Sequence, residues 1–381
     1  MTDVERPARR RSSLLTLILA ALIPVAAILG ALYVIWIVRP RQANQALNEQ
    51  LVLQTVGLAT PVVNKLDARF SDANNDLIAD PPADASKLID PDPLVFSFVA
   101  VEDPGPYKEV FQAFSDHLAK VTGKRVEYLM ATSSDEQLRA LRDGNLHVTG
   151  LNTGSVPLAV DACGFVPTHK LAGEGTTAGT YEMEIIVPAG SAITSPRQLS
   201  GKEIALTEGN SNSGFKAPLV LLQKDFGLLP AKHFGIRYSG DHMASIRGIA
   251  NKEYEAAAVA NDLLRRAIAT GDIQENSVRS IYKSPSFPTA AFGHAHNLTP
   301  ELAKKVREAF DTFQWKGTGL EKEFGPSQQT RFAPADYQKE WALIREIDEK
   351  IGSAHVLKEP GTQPATQPTT APATEPVAAS P

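Results

Sequence analysis

From residue 94 onward, short apolar runs alternate with amphipathic stretches in a strand–helix rhythm. Residues 94–101 are apolar over a strand's length, and residues 107–122 space their apolar side chains as one helix face before Gly123 stops the run. A strand over 125–130, a helix over 135–142 closed by Gly144, and a strand over 146–151 follow. A second set comprises strands over 181–188, 203–206, 236–239 and 256–259, with helices after Ser213 and from Met243. This alternation predicts parallel sheets covered by helices, hence two α/β lobes. Beyond them Thr299 and Pro300 start a helix, and Tyr337, Trp341, Ile344, Ile347 and Ile351 recur at 4, 3, 3, 4 spacing, one apolar face.

The ends of the chain read differently. Residues 1–13 carry Arg6, Arg9, Arg10 and Arg11 and precede residues 14–38, 25 residues without a charge. That length spans a bilayer and outruns the apolar core of a cleaved signal peptide, so an uncleaved anchor is expected. Four arginines before it against Arg39 and Arg41 after it favour a cytoplasmic N-terminus, which puts the rest outside the cytoplasm, in the periplasm. Residues 39–93 turn rich in prolines and acids and read as a linker. Residues 357–381 hold six prolines, many threonines and no aromatic, and are expected to be a disordered tail.

Composition narrows the chemistry. The 381 residues are 43% apolar and 21% charged, ample for a core, and a net charge of −5 offers no field for nucleic acid. A single cysteine, Cys163, excludes an internal disulfide, and no Cys/His spacing suggests a structural metal. No cofactor is called for.

The segment TEGNSNSGFKAPLVLLQKDFG, residues 207–227, sets a polar turn between a strand and a helix. Backbone N–H groups left open in a helix's first turn favour an anion, and Ser211, Asn212 and Ser213 add short donors, with Lys216 a turn further on. A serine that only caps its own helix is the alternative. The spacing lacks both GxxxxGK[ST] and GxGxxG, which argues against a nucleotide. A second polar loop, Asn152, Thr153, Gly154 and Ser155, follows the third strand.

These segments carry a resemblance. SNSGFKAP, then FGLLPAKHF and SGDH, with VEDPGPYKEVFQAFSDHLAKVTGKRVEY, YEMEIIVPAGSAITSPRQLSGKEIAL, YEAAAVANDLL and SPSFP in order, are similar to the phosphate/phosphite/phosphonate-binding proteins of ABC importers, over roughly residues 94–320. The resemblance implies a two-lobed periplasmic-binding-protein fold, type II-like, with lobe 1 over 94–183, lobe 2 over 184–283, and a return to lobe 1 with C-terminal helices over 284–356. It implies a small oxyanion ligand, and as partner an ABC permease and its ATPase, or a membrane sensor. The family's Ser-Thr-Ser turn falls on Ser211, Asn212 and Ser213, its tyrosine on Tyr181, its histidine on His242 and an acidic position on Asp262. Without the resemblance His242 reads as a surface residue, Tyr181 as core and Asp262 as a solvated helix start.

Two positions depart from the family. Ser134 stands where a tyrosine is frequent, and Ala290 where aminoalkylphosphonate binders carry an acid, so phosphite, phosphate or a simple phosphonate is expected over an amine-bearing ligand. Cys163 opens an alternative, because arsenite sensors of the wider family use a cysteine; a buried apolar role is the plainer reading. Ser213, His242 and Asp262 are also the residue types of a hydrolytic triad, but no GxSxG accompanies them. The expected protein is a binder, not an enzyme.

Overall fold

The computed structural model describes residues 65–98, 107–174 and 179–352, with residues 29–30, 63 and 357 besides. Lobe 1 opens with β1 (Leu94–Phe98), α1 (Tyr107–Val110), α2 (Gln112–Thr122), β2 (Val126–Tyr128), α3 (Ser134–Arg142), β3 (Val148–Leu151), α4 (Val156–Cys163) and β4 (Phe165–Ala172). The short β5 (Thr180–Tyr181) leads out of it. Lobe 2 holds β6 (Met183–Pro188), β7 (Glu203–Thr207), α5 (Ala217–Phe226), β8 (Gly235–Gly240), α6 (His242–Ala250), β9 (Ala256–Ala260), α7 (Asn261–Ala269) and β10 (Val278–Lys283). The chain returns through β11 (Phe287–Pro288) to β12 (Ala291–Ala295), α8 (Pro300–Thr312), α9 (Gly319–Phe324), β13 (Arg331–Pro334), α10 (Tyr337–Glu340) and α11 (Ala342–Ile351).

Lobe 1 is a six-stranded sheet in the order β13-β4-β12-β3-β1-β2, and lobe 2 a five-stranded sheet in the order β10-β6-β9-β7-β8. The expected parallel pairing holds for β1 with β2 and β3, and for β7 with β8 and β9. The sheets are nevertheless mixed, because β12 runs antiparallel to both β3 and β4, and β6 to both β9 and β10. These antiparallel strands arise where the chain leaves one lobe and re-enters it. β5 pairs with β11, so the two crossings lie side by side as a two-stranded hinge.

Each lobe has its own core. In lobe 1, Phe111, Phe114 and Leu118 line one face of α2 and its approach, and Phe114 stacks on Phe310 of α8 with centroids 4.7 Å apart. Phe98 and Phe292 stack in parallel across the sheet at 5.6 Å, and the missing side chain of Gly150 makes the room: a Cβ there would fall 2.6 Å from Phe98 Cδ2. In lobe 2 the fully buried Ala-Ala-Ala-Val-Ala of β9 is the central strand, whose small residues let α6 sit close.

Residues 65–93, which the sequence groups with the linker, lie along lobe 1. Asp67 N–H donates to the Asp161 carbonyl (2.8 Å), Phe70 meets His296 edge-on at 4.7 Å, and Ile89 bridges to Leu298. The basic segment, the anchor over 14–38 and the tail lie outside the described residues, residues 29–30 and 357 aside. Among the described residues no helix is long and apolar enough to cross a membrane.

Candidate functional site

The turn after β7 is built as the polar pattern implies, with a refinement. Residues 212–216 form a widened π-type turn that runs into α5, and Ser211 Oγ accepts from Gly214 N–H (3.1 Å), so this serine does cap its helix. It also does more. His242, the first residue of α6, is 2% exposed and sends Nε2 to within 3.2 Å of Ser211 Oγ and 3.4 Å of Ser213 Oγ. Its Nδ1 accepts the Ala260 N–H (3.3 Å), which leaves the proton on Nε2, and burial pushes its pKa down to about 4. A neutral His242 therefore donates to the serine oxygens. Because Ser211 Oγ already accepts from Gly214, its own hydrogen is left to point elsewhere, toward the cavity.

That cavity, about 120 Å³, lies between the lobes and holds a few water-sized groups. At one end stand Ser211, Asn212, Ser213, His242 and Tyr181; Asn152, Thr153 and Gly154 face them from lobe 1. Asn212 Nδ2 donates to the Tyr181 hydroxyl (3.1 Å), whose pKa burial pushes up to about 12, so it stays a neutral donor. Thr153 Oγ1 donates to the Pro288 carbonyl at the hinge (2.9 Å). Asp262, in the first turn of α7, accepts from Leu263 N–H (3.0 Å) and from Gln329 Nε2 (3.2 Å). Burial raises the Asp262 pKa, against the pull of Arg265 and Arg266. Phe98, Leu171, Leu263, Ala290 and Phe324 complete an apolar wall.

Eight of the ten sequence-derived candidates, Asn152, Thr153, Tyr181, Ser211, Asn212, Ser213, His242 and Asp262, thus line one cavity. Asn152 spends its side chain within lobe 1, donating to Ser134 Oγ (3.1 Å) and accepting from Ser155 N–H (3.0 Å). Ser134 is 2% exposed and stands behind Asn152, off the cavity wall. Cys163 is also off it: it ends α4 inside an apolar cluster, and burial pushes its thiol up to about 12, which removes the thiolate that a soft ligand requires. Lys216 points away from the turn. Its Nζ donates to the Gly154 carbonyl (2.7 Å) and to Asp348 Oδ1 (3.0 Å), with both side chains at most 2% exposed. The triad geometry is missing as well, because His242 Nδ1 takes a backbone N–H where a hydrolase would place a carboxylate.

Sequence reasoning did not reach Arg266, Tyr107, Thr289, Ser327, Gln329 or the apolar wall other than Ala290. Arg266 Nη1 pairs with Glu323 Oε1 (2.8 Å), which also accepts from the Tyr107 hydroxyl (3.2 Å). These residues meet only through the return of the chain to lobe 1, so no local motif marks them.

Two lobes joined by a paired-strand hinge around a polar cleft define a solute-binding protein of the periplasmic-binding-protein fold. The chain belongs to the family described as ABC transporter, phosphonate, periplasmic substrate-binding protein, whose profile matches residues 96–341. It is therefore a substrate-binding component of a transporter, working outside the cytoplasm with a permease and ATPase, and not an enzyme. It is 20% identical over 229 residues to the phosphate-import protein PhnD of Mycolicibacterium smegmatis, covering 58% of this chain and 71% of the relative. The binding protein component of a phosphonate ABC transporter from Pseudomonas aeruginosa shares the fold at a TM-score of 0.57 and 19% identity, covering 68% of this chain and 86% of the other. PhnD1 of Prochlorococcus marinus, solved with methylphosphonate, gives 0.56 and 16%, covering 69% and 99%.

Proposed function

We propose that this chain captures a small phosphorus oxyanion, phosphite, phosphate or a simple phosphonate, for its ABC permease, and that residues 14–38 tether it to the inner membrane. The observation that carries the ligand reading is the donor arrangement at residues 211–213. A neutral His242 and the Gly214 N–H occupy acceptor sites on Ser211 Oγ, so a hydroxyl hydrogen is available to a ligand oxygen. Tyr181 adds a neutral O–H beside it. The apolar wall opposite suits a hydrogen or methyl substituent on phosphorus. Relatives whose names specify phosphate import and whose structure holds methylphosphonate support the same class.

Isothermal titration of phosphite, phosphate and methylphosphonate against the purified protein tests this. At least one is expected to bind stoichiometrically. Ser213→Ala should weaken it by about 10- to 150-fold, the loss of one hydrogen bond to a charged ligand at roughly 1.5 to 3 kcal/mol. Binding of none of the three, or equal binding by the variant, counts against the reading.

A further inference from the structure

A second polar cavity, about 250 Å³, lies beside the first, against the hinge strand β5. Tyr181, Thr289, Ser327 and Gln329 line both, so side chains divide one space from the other. α7 stands at that division. Its Asp262 and Arg266 line the first cavity, while Asn261 and Arg265, each one residue earlier and likewise four apart, line the second.

The second cavity contains polar atoms that the protein leaves unanswered. Arg265 Nε is buried without a hydrogen-bond partner among the described residues, and so is Oε1 of Gln329, a residue 6% exposed. The other charges nearby are occupied or lie in water. Lys283 Nζ pairs with Glu184 (2.9 Å), Glu182 accepts from Asn261 Nδ2 (3.3 Å), and Glu174 is exposed. Asp262, the carboxyl of the same helix, turns to Gln329 and the first cavity. A buried guanidinium N–H without an acceptor costs free energy, which an arriving anionic oxygen would recover.

We propose that the second cavity is a carboxylate subsite, so that the chain takes phosphonates bearing a terminal carboxylate, with phosphonate at residues 211–213 and carboxylate on Arg265. This rests on the phosphorus-oxyanion reading and extends it to a substrate class. A planar carboxylate matches the fork of a guanidinium, which can donate to both its oxygens. Phosphate, phosphite and methylphosphonate are too short to leave the first cavity, and a terminal amine would meet a like charge. The linking carbons pass beside Gln329. Its side chain is tied at one end only, by Nε2 to Asp262 Oδ2 (3.2 Å), and so is free to swing aside.

The test is isothermal titration at pH 8 on the purified full-length protein, Arg265→Gln and Arg265→Lys, with a thermal melt of each ligand-free protein as the check on folding. Methylphosphonate is one probe; phosphonoacetate and 3-phosphonopropionate are each compared with the alkylphosphonate of equal chain length. In wild type at least one carboxylate should bind about 10- to 150-fold tighter than its alkyl counterpart, the margin of a charge-assisted pair. Arg265→Gln should abolish that margin, and Arg265→Lys, which keeps the charge but not the fork, should narrow it. Methylphosphonate should bind all three proteins alike. No margin in wild type, or an undiminished margin in either folded variant, overturns the carboxylate subsite, while binding of methylphosphonate leaves the oxyanion reading intact. If none of these phosphorus ligands binds wild type, both readings fall together.

Discussion

Gly154 of lobe 1 lies directly against the backbone of residues 210–212 in lobe 2, and replacing it by alanine isolates the cost of bringing the lobes together. A Cβ there would fall 2.7 Å from Asn212 N and 3.3 Å from Asn212 Cα, and closer still to the Asn210 carbonyl oxygen. Those neighbours are backbone of the ligand-facing turn, so they cannot swing aside as a side-chain tip would. Its φ is not in the left-handed region, so alanine is unstrained in lobe 1 itself. The overlap is therefore felt only when lobe 2 is seated against residue 154. Overpacking of this kind costs roughly 1 to 3 kcal/mol, and since ligand binding requires the seated arrangement, affinity should fall about 5- to 150-fold. Isothermal titration measures that loss, the melting temperature of the ligand-free variant should stay near wild type, and small-angle scattering at saturation should show incomplete compaction. Unchanged affinity, or a ligand-free melting temperature that drops in step with affinity, would refute the reasoning.

Two further outcomes follow from buried charges. Lys216→Met should destabilise the protein by about 3 to 5 kcal/mol in urea titration, because it strands Asp348 without its cation at 0% exposure; binding lost at unchanged stability would instead make Lys216 a ligand residue. Asp161→Asn should alter the pH dependence of stability. His242 and His294 are held by burial at about 4, below their ordinary 6.5, so each contributes up to about 3 kcal/mol above pH 6.5 that is lost as pH falls toward 4. Burial raises Asp161 to about 7, and it works in the opposite sense, penalising the folded state above pH 7 and relenting as pH falls. Removing that carboxyl should make the protein more stable at pH 8 and steepen its loss of stability between pH 6.5 and 4.5; a parallel shift of the whole curve would contradict the assignment.

The strands and helices that bear a strong local period were legible in the sequence, among them α2, α3, β3, β7 and the apolar face running through Trp341, Ile344, Ile347 and Ile351. β4, β12 and β13 were not. Pro167 interrupts β4, and Gly293 in β12 sits at a register shift where a Cβ would collide with the Val166 carbonyl oxygen, so neither strand shows clean alternation. At the site, the serine turn could be named from its local pattern, whereas Tyr181, His242 and Asp262 were named only through the family resemblance. The fate of Lys216 could not, because its partner lies 132 residues away on α11. For Cys163 the plainer of the two readings, a buried apolar side chain, is the one the packing gives, among Leu, Val and Phe side chains.

α11 itself changes what the hinge can do. β5 and β11 run side by side and would alone define a single free axis. The chain makes a third connection, however, since after β13 in lobe 1 it sends α11 to pack against α5 of lobe 2, with Asp348 on Lys216, while Trp341 just before the helix holds it to lobe 1 by donating from Nε1 to the Thr153 carbonyl (3.3 Å). That attachment lies off the axis, so the lobes separate only if α11 slides or lets go on one side. Release of cargo then requires α11 to part from the 212–216 turn, against whose outer side it packs. Two ligands held with different strengths at residues 211–213 should share an upper limit on how fast they escape, and a permease that needs rapid unloading has its natural point of leverage at this helix.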